Sequence, residues 1–398
     1  MASETPTEKK MKPRQFSSRS QTLIDPSLRL PKRRRTTTTF SNTPPPLASP
    51  PPKTLKTSTT TTTTSRRSLF IDQWIPLGIP PSELSLPLTL PTGQTFRWRR
   101  TSPDHFTGVI GPHLLSLRQP SPDSPVSYLL HSSVEASSAA AAIADYLNLS
   151  ISLGEVWRGF AERDARFAEA AGRVGEGARV LRQDPWECAM QFLCSSNNNI
   201  GRIERMVGTL SSFGEYLGTV GGHGFYRFPS VERLAEVSEE ELRRAGFGYR
   251  AKYIVGAVKL LQSKPGGGEK WLTSLRGLEL PEVIDALCTL PGVGPKVAAC
   301  IALFSLDQHH AIPVDTHVWQ IATRYLIPEL AGARLTLKLS KDVAEAFVKK
   351  YGKYAGWAQT VLFIGELPSH KATDISNCSV EEMKSAKRKC VKVIRSCG

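Results

Sequence analysis

The chain has 398 residues, enough to bury one large hydrophobic core or two smaller ones. Its formal net charge of +15 favours a nucleic-acid partner, but residues 1–67 hold 14 Lys and Arg against 3 Asp and Glu, and residues 371–398 hold 7 against 3. Residues 68–370 are formally neutral, so bulk charge does not identify this region as a DNA binder, and its function must be argued from motifs.

The sequence does not favour a membrane protein or a protein that binds a metal cluster. No apolar run reaches the ~18 residues of a membrane span, so no membrane partner is expected. The seven cysteines lack CxxC spacing, which indicates a reduced intracellular protein. Cys378, Cys390 and Cys397 raise an iron–sulfur or zinc interpretation, but three widely spaced cysteines fall short of the usual four ligands. We therefore expect neither a metal nor a cofactor.

Residues 1–67 are rich in Ser, Thr, Pro, Lys and Arg and are expected to be a disordered basic extension. Within it, Lys32–Arg35 resembles a nuclear import signal, and a solvated charge run is an equally open interpretation. An organelle transit peptide is a third alternative, which the early Glu4 and Glu8 disfavour. The expected location is the nucleus, with organelle targeting left open.

Short apolar or alternating segments between Pro, Gly, Asp and Ser follow from Trp74 to about residue 131. They predict a small antiparallel β domain over residues 68–135. Its predicted strands are Leu86–Leu90, Thr95–Arg99, His105–Ile110, Leu114–Leu117 and Val126–Leu130.

Helical patterns predict a mostly α-helical domain over residues 136–367, before a basic C-terminal tail at 368–398. Asp184 and Pro185 are typical of an N-cap followed by an N1 proline. The expected fold class is α+β. The predicted helices are Trp186–Cys194, Ile200–Phe213, Val231–Val237, Glu239–Ala245, Arg250–Leu261, Glu282–Leu290, Pro295–Leu306, Thr316–Leu326, Lys341–Lys350 and Tyr354–Phe363.

Pro291–Gly294 separates two of these apolar helices and predicts a helix–hairpin–helix motif over residues 282–306. Glycine permits positive φ and close approach of the backbone. The amides of Gly292, Val293 and Gly294, at the start of the second helix, can hold a phosphate oxygen. The hairpin therefore indicates contact with a nucleic-acid backbone.

Lys296 stands in the first turn of that second helix, where the helix dipole disfavours a positive charge and is expected to lower the pKa of the amine. A neutral amine can form a Schiff base with an electrophilic carbon, although most lysines are plain surface residues. Asp315 follows nineteen residues later as an apparent N-cap, and its carboxylate could also stabilise positive charge on a sugar. His317 is open between a structural histidine and a donor to a phosphate.

The chain resembles the eukaryotic 8-oxoguanine DNA glycosylases of the helix–hairpin–helix, Gly/Pro/Asp superfamily from Trp74 to about residue 367. The hairpin and Asp315 identify the superfamily, and Lys296 adds the lyase-competent branch. The specific match comes from four further segments, Pro91–Trp98, Cys194–Ile200, Gly248–Ala251 and Tyr354–Gln359.

The resemblance implies a pocket for the extruded base. Gly93 would accept from the N7–H of oxidised guanine, which guanine lacks. Cys300 and Phe363 would sandwich the base, and Gln359 would bind its Watson–Crick edge. Taken alone, Gly93 indicates a turn residue, and Cys300 and Phe363 indicate core residues on apolar helix faces.

The resemblance also implies a reader of the opposite strand. Asn197, Arg202 and Arg250 would contact the cytosine left behind, although both arginines alone would be surface charges. Tyr249 would wedge into the gap in the base stack. The chain departs from the family at Glu366, where an Asp that steadies the histidine is more usual, and this affects the role of His317.

The implied function is a monomeric base-excision repair enzyme that removes 8-oxoguanine, and formamidopyrimidine-guanine, opposite cytosine in double-stranded DNA. Lys296 would attack C1′, Asp315 would stabilise the transition state, and β-elimination would nick the strand. One alternative is a glycosylase of the same superfamily for an alkylated purine or a mismatched thymine. Another is a non-enzymatic DNA-binding hairpin protein, which would need neither Lys296 nor Asp315. Repair partners cannot be read from the sequence.

Overall fold

The computed structural model of this protein describes residues 73–131 and 136–366. The basic extension at 1–67, the segment Lys32–Arg35 and the tail at 368–398 lie outside the described residues, so the predictions made for them stay predictions. Within the described ranges, no helix is long and apolar enough to cross a membrane.

The described residues form an antiparallel sheet, a separate hairpin and a series of helices. The strands are β1 (Ile75–Pro76), β2 (Arg99–Ser102), β3 (His105–Ile110), β4 (His113–Arg118), β5 (Ser127–Leu130), β6 (Tyr216–Val220) and β7 (His223–Tyr226). The α-helices are α1 (Leu86–Thr89), α2 (Ala136–Tyr146), α3 (Leu153–Arg163), α4 (Ala165–Val174), α5 (Pro185–Leu193), α6 (Ile200–Ser211), α7 (Val231–Ala235), α8 (Glu239–Arg244), α9 (Arg250–Gln262), α10 (Gly268–Ser274), α11 (Leu280–Cys288), α12 (Pro295–Ser305), α13 (Thr316–Tyr325), α14 (Leu337–Tyr351) and α15 (Ala355–Glu366).

The five-stranded sheet has the order β1-β5-β4-β3-β2, with all neighbours antiparallel. In β3 and β4, His105 pairs with Arg118 and Ile110 pairs with His113, so the two strands form a tight hairpin. This confirms the α+β class. The predicted bounds of β3 are correct, and those of β4 and β5 are within one residue at each end.

Three assignments in the predicted secondary structure are wrong. Leu86–Thr89 is a helix, because Pro87 cannot donate to a strand ladder but is tolerated in a first helical turn. Residues 95–98 are not a strand, and β2 begins at Arg99. The region from 216 to 226, within the part read as helical, is a β-hairpin whose turn contains Gly221 and Gly222 with positive φ.

Two hydrophobic cores meet at the segment that precedes β2. One core lies among the helices, and the other lies between the sheet and α2. Phe96 is buried in the helical core, whereas Trp98, two residues later, is buried in the sheet core. Because residues two apart in a regular strand point to the same side, this division between the cores shows that the backbone here is not a regular strand, and residues 95–98 are held in both cores.

Candidate active site

The helix–hairpin–helix motif is present, with α11 ending at Cys288 and α12 beginning at Pro295. In the turn, Val293 donates its N–H to the carbonyl of Leu290 at 3.0 Å. Gly292 has φ +83°, and a Cβ at this position would lie 2.7 Å from the side chain of Tyr253. Only glycine fits this turn, because it must adopt positive φ while packing against α9.

Lys296 is the second residue of α12 and is only partly exposed. Its ammonium nitrogen lies 6.0 Å from the ring centroid of Phe192 on α5. Cys300, one turn further along α12, is buried and lies within hydrogen-bonding reach of the amine. The nucleophile proposed from the sequence thus stands between an aromatic ring and a thiol.

The expectation of a lowered pKa for Lys296 is wrong. Its pKa is raised, first by the neighbouring Cys300, which also bonds to the amine, and further by the carboxylate of Asp315, whereas burial lowers it. Burial raises the pKa of Cys300 as well. The resting amine is therefore protonated near neutral pH. Asp315 caps another helix and is not visible in the local sequence around Lys296, whereas Cys300, four residues along the same helix, was available but not used.

Asp315 is the N-cap of α13, as the sequence predicts. Its Oδ1 accepts from the backbone N–H groups of His317 and Val318, both at 2.9 Å. Since both bonds end on Oδ1, neither uses Oδ2. The cap fixes the carboxylate at a distance from which it acts on the charge of Lys296, so the structural and electrostatic roles coexist.

The base-pocket residues predicted on helices come from α12 and α15. Cys300 lies on α12, while Gln359 and Phe363 lie one turn apart on α15, Gln359 being buried and Phe363 partly buried. The two helices pack closely, since a Cβ on Gly356 would lie 2.6 Å from the Leu303 side chain. Gly93 has φ +86°, so it is the turn residue that the sequence predicts.

His317 is exposed at the start of α13 and packs edge-on against the ring of Phe363, with the centroids 6.2 Å apart. This contact connects the predicted phosphate donor to the predicted base-stacking ring. Glu366, the departure from the family pattern, accepts a hydrogen bond from Arg324 at 2.5 Å.

The predicted reader of the opposite strand is assembled around one loop. Asn197 is exposed with φ +47°, and Arg202 is exposed nearby. Tyr249 is 47% exposed and donates its hydroxyl to the carbonyl of Ser196. Arg250, in contrast, is only 2% exposed and donates to the carbonyls of Ser196 and Asn197. Arg250 is therefore not the surface charge that its residue type alone predicts, but part of the support of the loop.

The sequence interpretation overlooked three polar residues that bond to the segment following Gly93. Gln183, Glu187 and Gln191 are spaced four residues apart along α5 and the chain just before it. That spacing places them on one side of an otherwise apolar helix and was the available signal. Glu187 bonds to Arg97 at 2.9 Å, and burial raises the pKa of this carboxyl against the effect of that arginine. Among the described residues, no group of three His, Cys, Asp or Glu side chains could hold a metal ion.

Comparisons with known proteins match this region. The family model for the N-terminal domain of 8-oxoguanine DNA glycosylase matches residues 76–189, and that of the HhH-GPD superfamily of base-excision DNA repair proteins matches residues 190–343. An N-glycosylase/DNA lyase of Arabidopsis thaliana is 64% identical over 299 residues, which cover 75% of this chain and 82% of that protein. An N-glycosylase/DNA lyase of Saccharomyces cerevisiae is 34% identical over 325 residues, which cover 73% and 85%.

A solved structure is also similar. It is the 8-oxoguanine glycosylase/lyase of Clostridium acetobutylicum in complex with double-stranded DNA containing cytosine opposite 8-oxoguanine. Its TM-score is 0.62 and its identity is 28%, and the match covers 72% of this chain and 92% of that one.

Proposed function

This chain belongs to the 8-oxoguanine DNA glycosylase family of N-glycosylase/DNA lyases, and we propose that Lys296 is its nucleophile and Asp315 its electrostatic partner. The protein is a bifunctional enzyme that excises 8-oxoguanine from duplex DNA and cleaves the strand at the resulting site. The observation that carries the assignment of residues is the position of a partly buried lysine at the start of α12, next to Cys300 and the capping carboxylate of Asp315.

The chemistry follows from this arrangement. The oxidised guanine is turned out of the duplex, and the amine of Lys296, once it has lost its proton, attacks C1′ of the sugar. The new N–C1′ bond replaces the glycosidic bond, and the base leaves with that electron pair and takes up a proton. Asp315 stabilises the positive charge that develops on the sugar. Ring opening gives a Schiff base, from which loss of a C2′ proton expels the 3′ phosphate by β-elimination.

Selection of the base is proposed to depend on Gly93. Its carbonyl accepts a hydrogen bond from N7–H of the oxidised base, whereas normal guanine would present a lone pair to the same oxygen. A site built around one donor rejects an analogue lacking that donor by a large factor. Gln359 and Phe363 on α15 bind the edge and the face of the same base.

Single-turnover excision tests the substrate. Duplexes carrying 8-oxoguanine, formamidopyrimidine-guanine, 3-methyladenine or a G·T mismatch are compared under one condition. We expect release of the two oxidised guanines, fastest opposite cytosine, with covalent trapping by borohydride. Release of 3-methyladenine or thymine as the main product would support the alternative glycosylases. Binding without release of any base would support a non-enzymatic hairpin protein.

For the location we propose the nucleus, with Lys32–Arg35 as the import signal. The support is the cluster of four basic residues in a Ser- and Thr-rich segment. Fluorescent fusions of the full chain, with and without residues 32–35, test this proposal. Loss of nuclear signal on deletion is the expected result. An unchanged nuclear signal would shift the role to Lys387–Lys389, and signal in an organelle would favour a transit peptide.

A further inference from the structure

The turn that contains Gly93 is held by its own neighbours. The amide nitrogen of Gln94 donates to Thr92 Oγ1 at 3.1 Å, across Gly93, and to the carbonyl of Arg179 at 2.8 Å. The amide oxygen of Gln94 accepts from the N–H of Leu181 at 3.1 Å. Gln94 is 1% exposed, so this one side chain ties the Gly93 turn to the chain that leads into α5.

Two more buried glutamines hold the residues that follow. Gln183 donates to the backbone carbonyl of Gln94 at 2.7 Å, and Gln191 accepts from the backbone N–H of Phe96 at 2.7 Å. The two are bonded to each other, from Gln191 Nε2 to Gln183 Oε1 at 3.1 Å. The backbone on either side of Thr95 is therefore fixed to a single bonded pair, whose members are 1% and 0% exposed.

The same helix also contacts the nucleophile. Phe192 follows Gln191 on α5, and its ring lies 6.0 Å from that of Phe96 in an edge-on arrangement. The amine of Lys296 lies 6.0 Å from the same Phe192 ring. One turn of α5 is thus in contact with the segment that presents Gly93 and with the amine that attacks the sugar.

We propose that Gln183 and Gln191 are positioning residues that fix the Gly93 carbonyl relative to the Lys296 amine for excision of the oxidised base. The proposal rests on the proposed role of Gly93. A buried amide pair is costly unless every group is bonded, and the bonded pair permits one geometry where an apolar pair would permit several. Displacement of a substrate-binding group by about 1 Å can lower a rate by about 10²-fold.

The test separates reading of the base from chemistry at the sugar. Gln191→Met keeps the volume but leaves the Phe96 N–H and the Gln183 amide without their partner. Excision of 8-oxoguanine and cleavage of a preformed abasic site are measured in the same duplex context, since the abasic site offers no base to read. Rates are expressed per active molecule, titrated by borohydride trapping on abasic DNA. We expect excision to fall about 10-fold or more and abasic-site cleavage to stay at the wild-type rate.

Gln308→Met is the matched control. Gln308 is also buried, at 7% exposure, and donates to the Leu278 carbonyl at 2.9 Å, but it does not bond to the Gly93 segment. Gln308→Met should lower the stability of the protein but leave the ratio of the excision rate to the abasic-site cleavage rate unchanged. Gln183→Met removes the other member of the pair and is used for the same test if Gln191→Met does not fold.

Unchanged excision in Gln191→Met, or equal losses of excision and abasic-site cleavage, would overturn the proposal. Failure of the wild-type protein to excise 8-oxoguanine while it cleaves abasic sites would instead refute the proposed function.

Discussion

Arg324 and Glu366 form an ion pair that joins the last turn of α13 to the C-terminal end of α15. Glu366 lies three residues after Phe363, whose ring packs edge-on against His317 at the other end of α13. The pair therefore connects the helix that carries Phe363, the proposed base-stacking ring, to the helix that Asp315 caps. The carboxylate of Glu366 thus pairs with an arginine of the neighbouring helix.

Glu366→Ala should consequently affect the base pocket more than stability. Loss of a partly exposed ion pair changes the free energy of unfolding by about 1 kcal/mol. We expect 8-oxoguanine excision to fall roughly 5- to 10-fold through misplacement of Phe363, as measured in single turnover. Glu345→Ala, on an exposed position of α14, is the control. An excision rate equal to that of the control would show that the ion pair does not position Phe363.

Asp315→Asn should separate the cap from the charge. Asn caps a helix nearly as well as Asp, so the melting temperature should change little. Catalysis should fall by about 10²-fold or more, because the charge opposite the developing cation is lost while the geometry is kept. A rate that falls only in proportion to the folded fraction would make Asp315 a purely structural residue.

Arg202→Ala and Arg250→Ala should differ. Arg202 is exposed, so its loss should relax the preference for cytosine opposite the lesion by about 1–3 kcal/mol at nearly constant stability. Arg250→Ala also removes the donor to the Asn197 carbonyl and one of the two donors to the Ser196 carbonyl, which should cost about 1–3 kcal/mol of stability. Excision opposite each of the four bases, together with thermal unfolding, checks both. Equal losses opposite all four bases in Arg202→Ala would mark a phosphate contact.

These contrasts show what the sequence could and could not predict. The hairpin, the Asp315 cap and most helices could be predicted, because glycine, proline and apolar spacing within a few residues determine them. The burial of Arg250 depends on carbonyls more than fifty residues away, and the raised pKa of Lys296 depends partly on Asp315 in another helix. The β6–β7 hairpin was missed although its Gly221 and Gly222 turn is a local signal.

Stability should depend on pH through His309. Burial lowers the pKa of His309 to about 4, against the opposing effect of Asp307, and its neutral Nδ1 accepts from the indole of Trp357. The folded pKa lies below the unfolded value of about 6.5. The stabilisation of the folded state by neutral His309 is therefore complete above that pH and is lost as pH falls towards about 4. It amounts to about 3 kcal/mol at most.

Thermal unfolding measured across this range checks the effect. His309→Gln should flatten the decline in melting temperature between about pH 6.5 and about pH 4, whereas His223→Gln, at an exposed position of β7, should not. An unaltered decline in His309→Gln would assign the pH dependence to other groups.

Borohydride trapping on duplex DNA with 8-oxoguanine opposite cytosine tests the central claim most directly. The matched control is Lys338→Gln, because Lys338 is the second residue of α14 as Lys296 is of α12, but its side chain is exposed. We expect wild type and Lys338→Gln to form the covalent adduct on a peptide containing residue 296. The adduct should form faster at higher pH, because the raised pKa of Lys296 keeps the amine protonated at neutral pH and only the neutral amine attacks. Lys296→Gln should form no adduct and release no base. An adduct on another residue, or base release by Lys296→Gln at the wild-type rate, would contradict the assignment of Lys296 as the nucleophile.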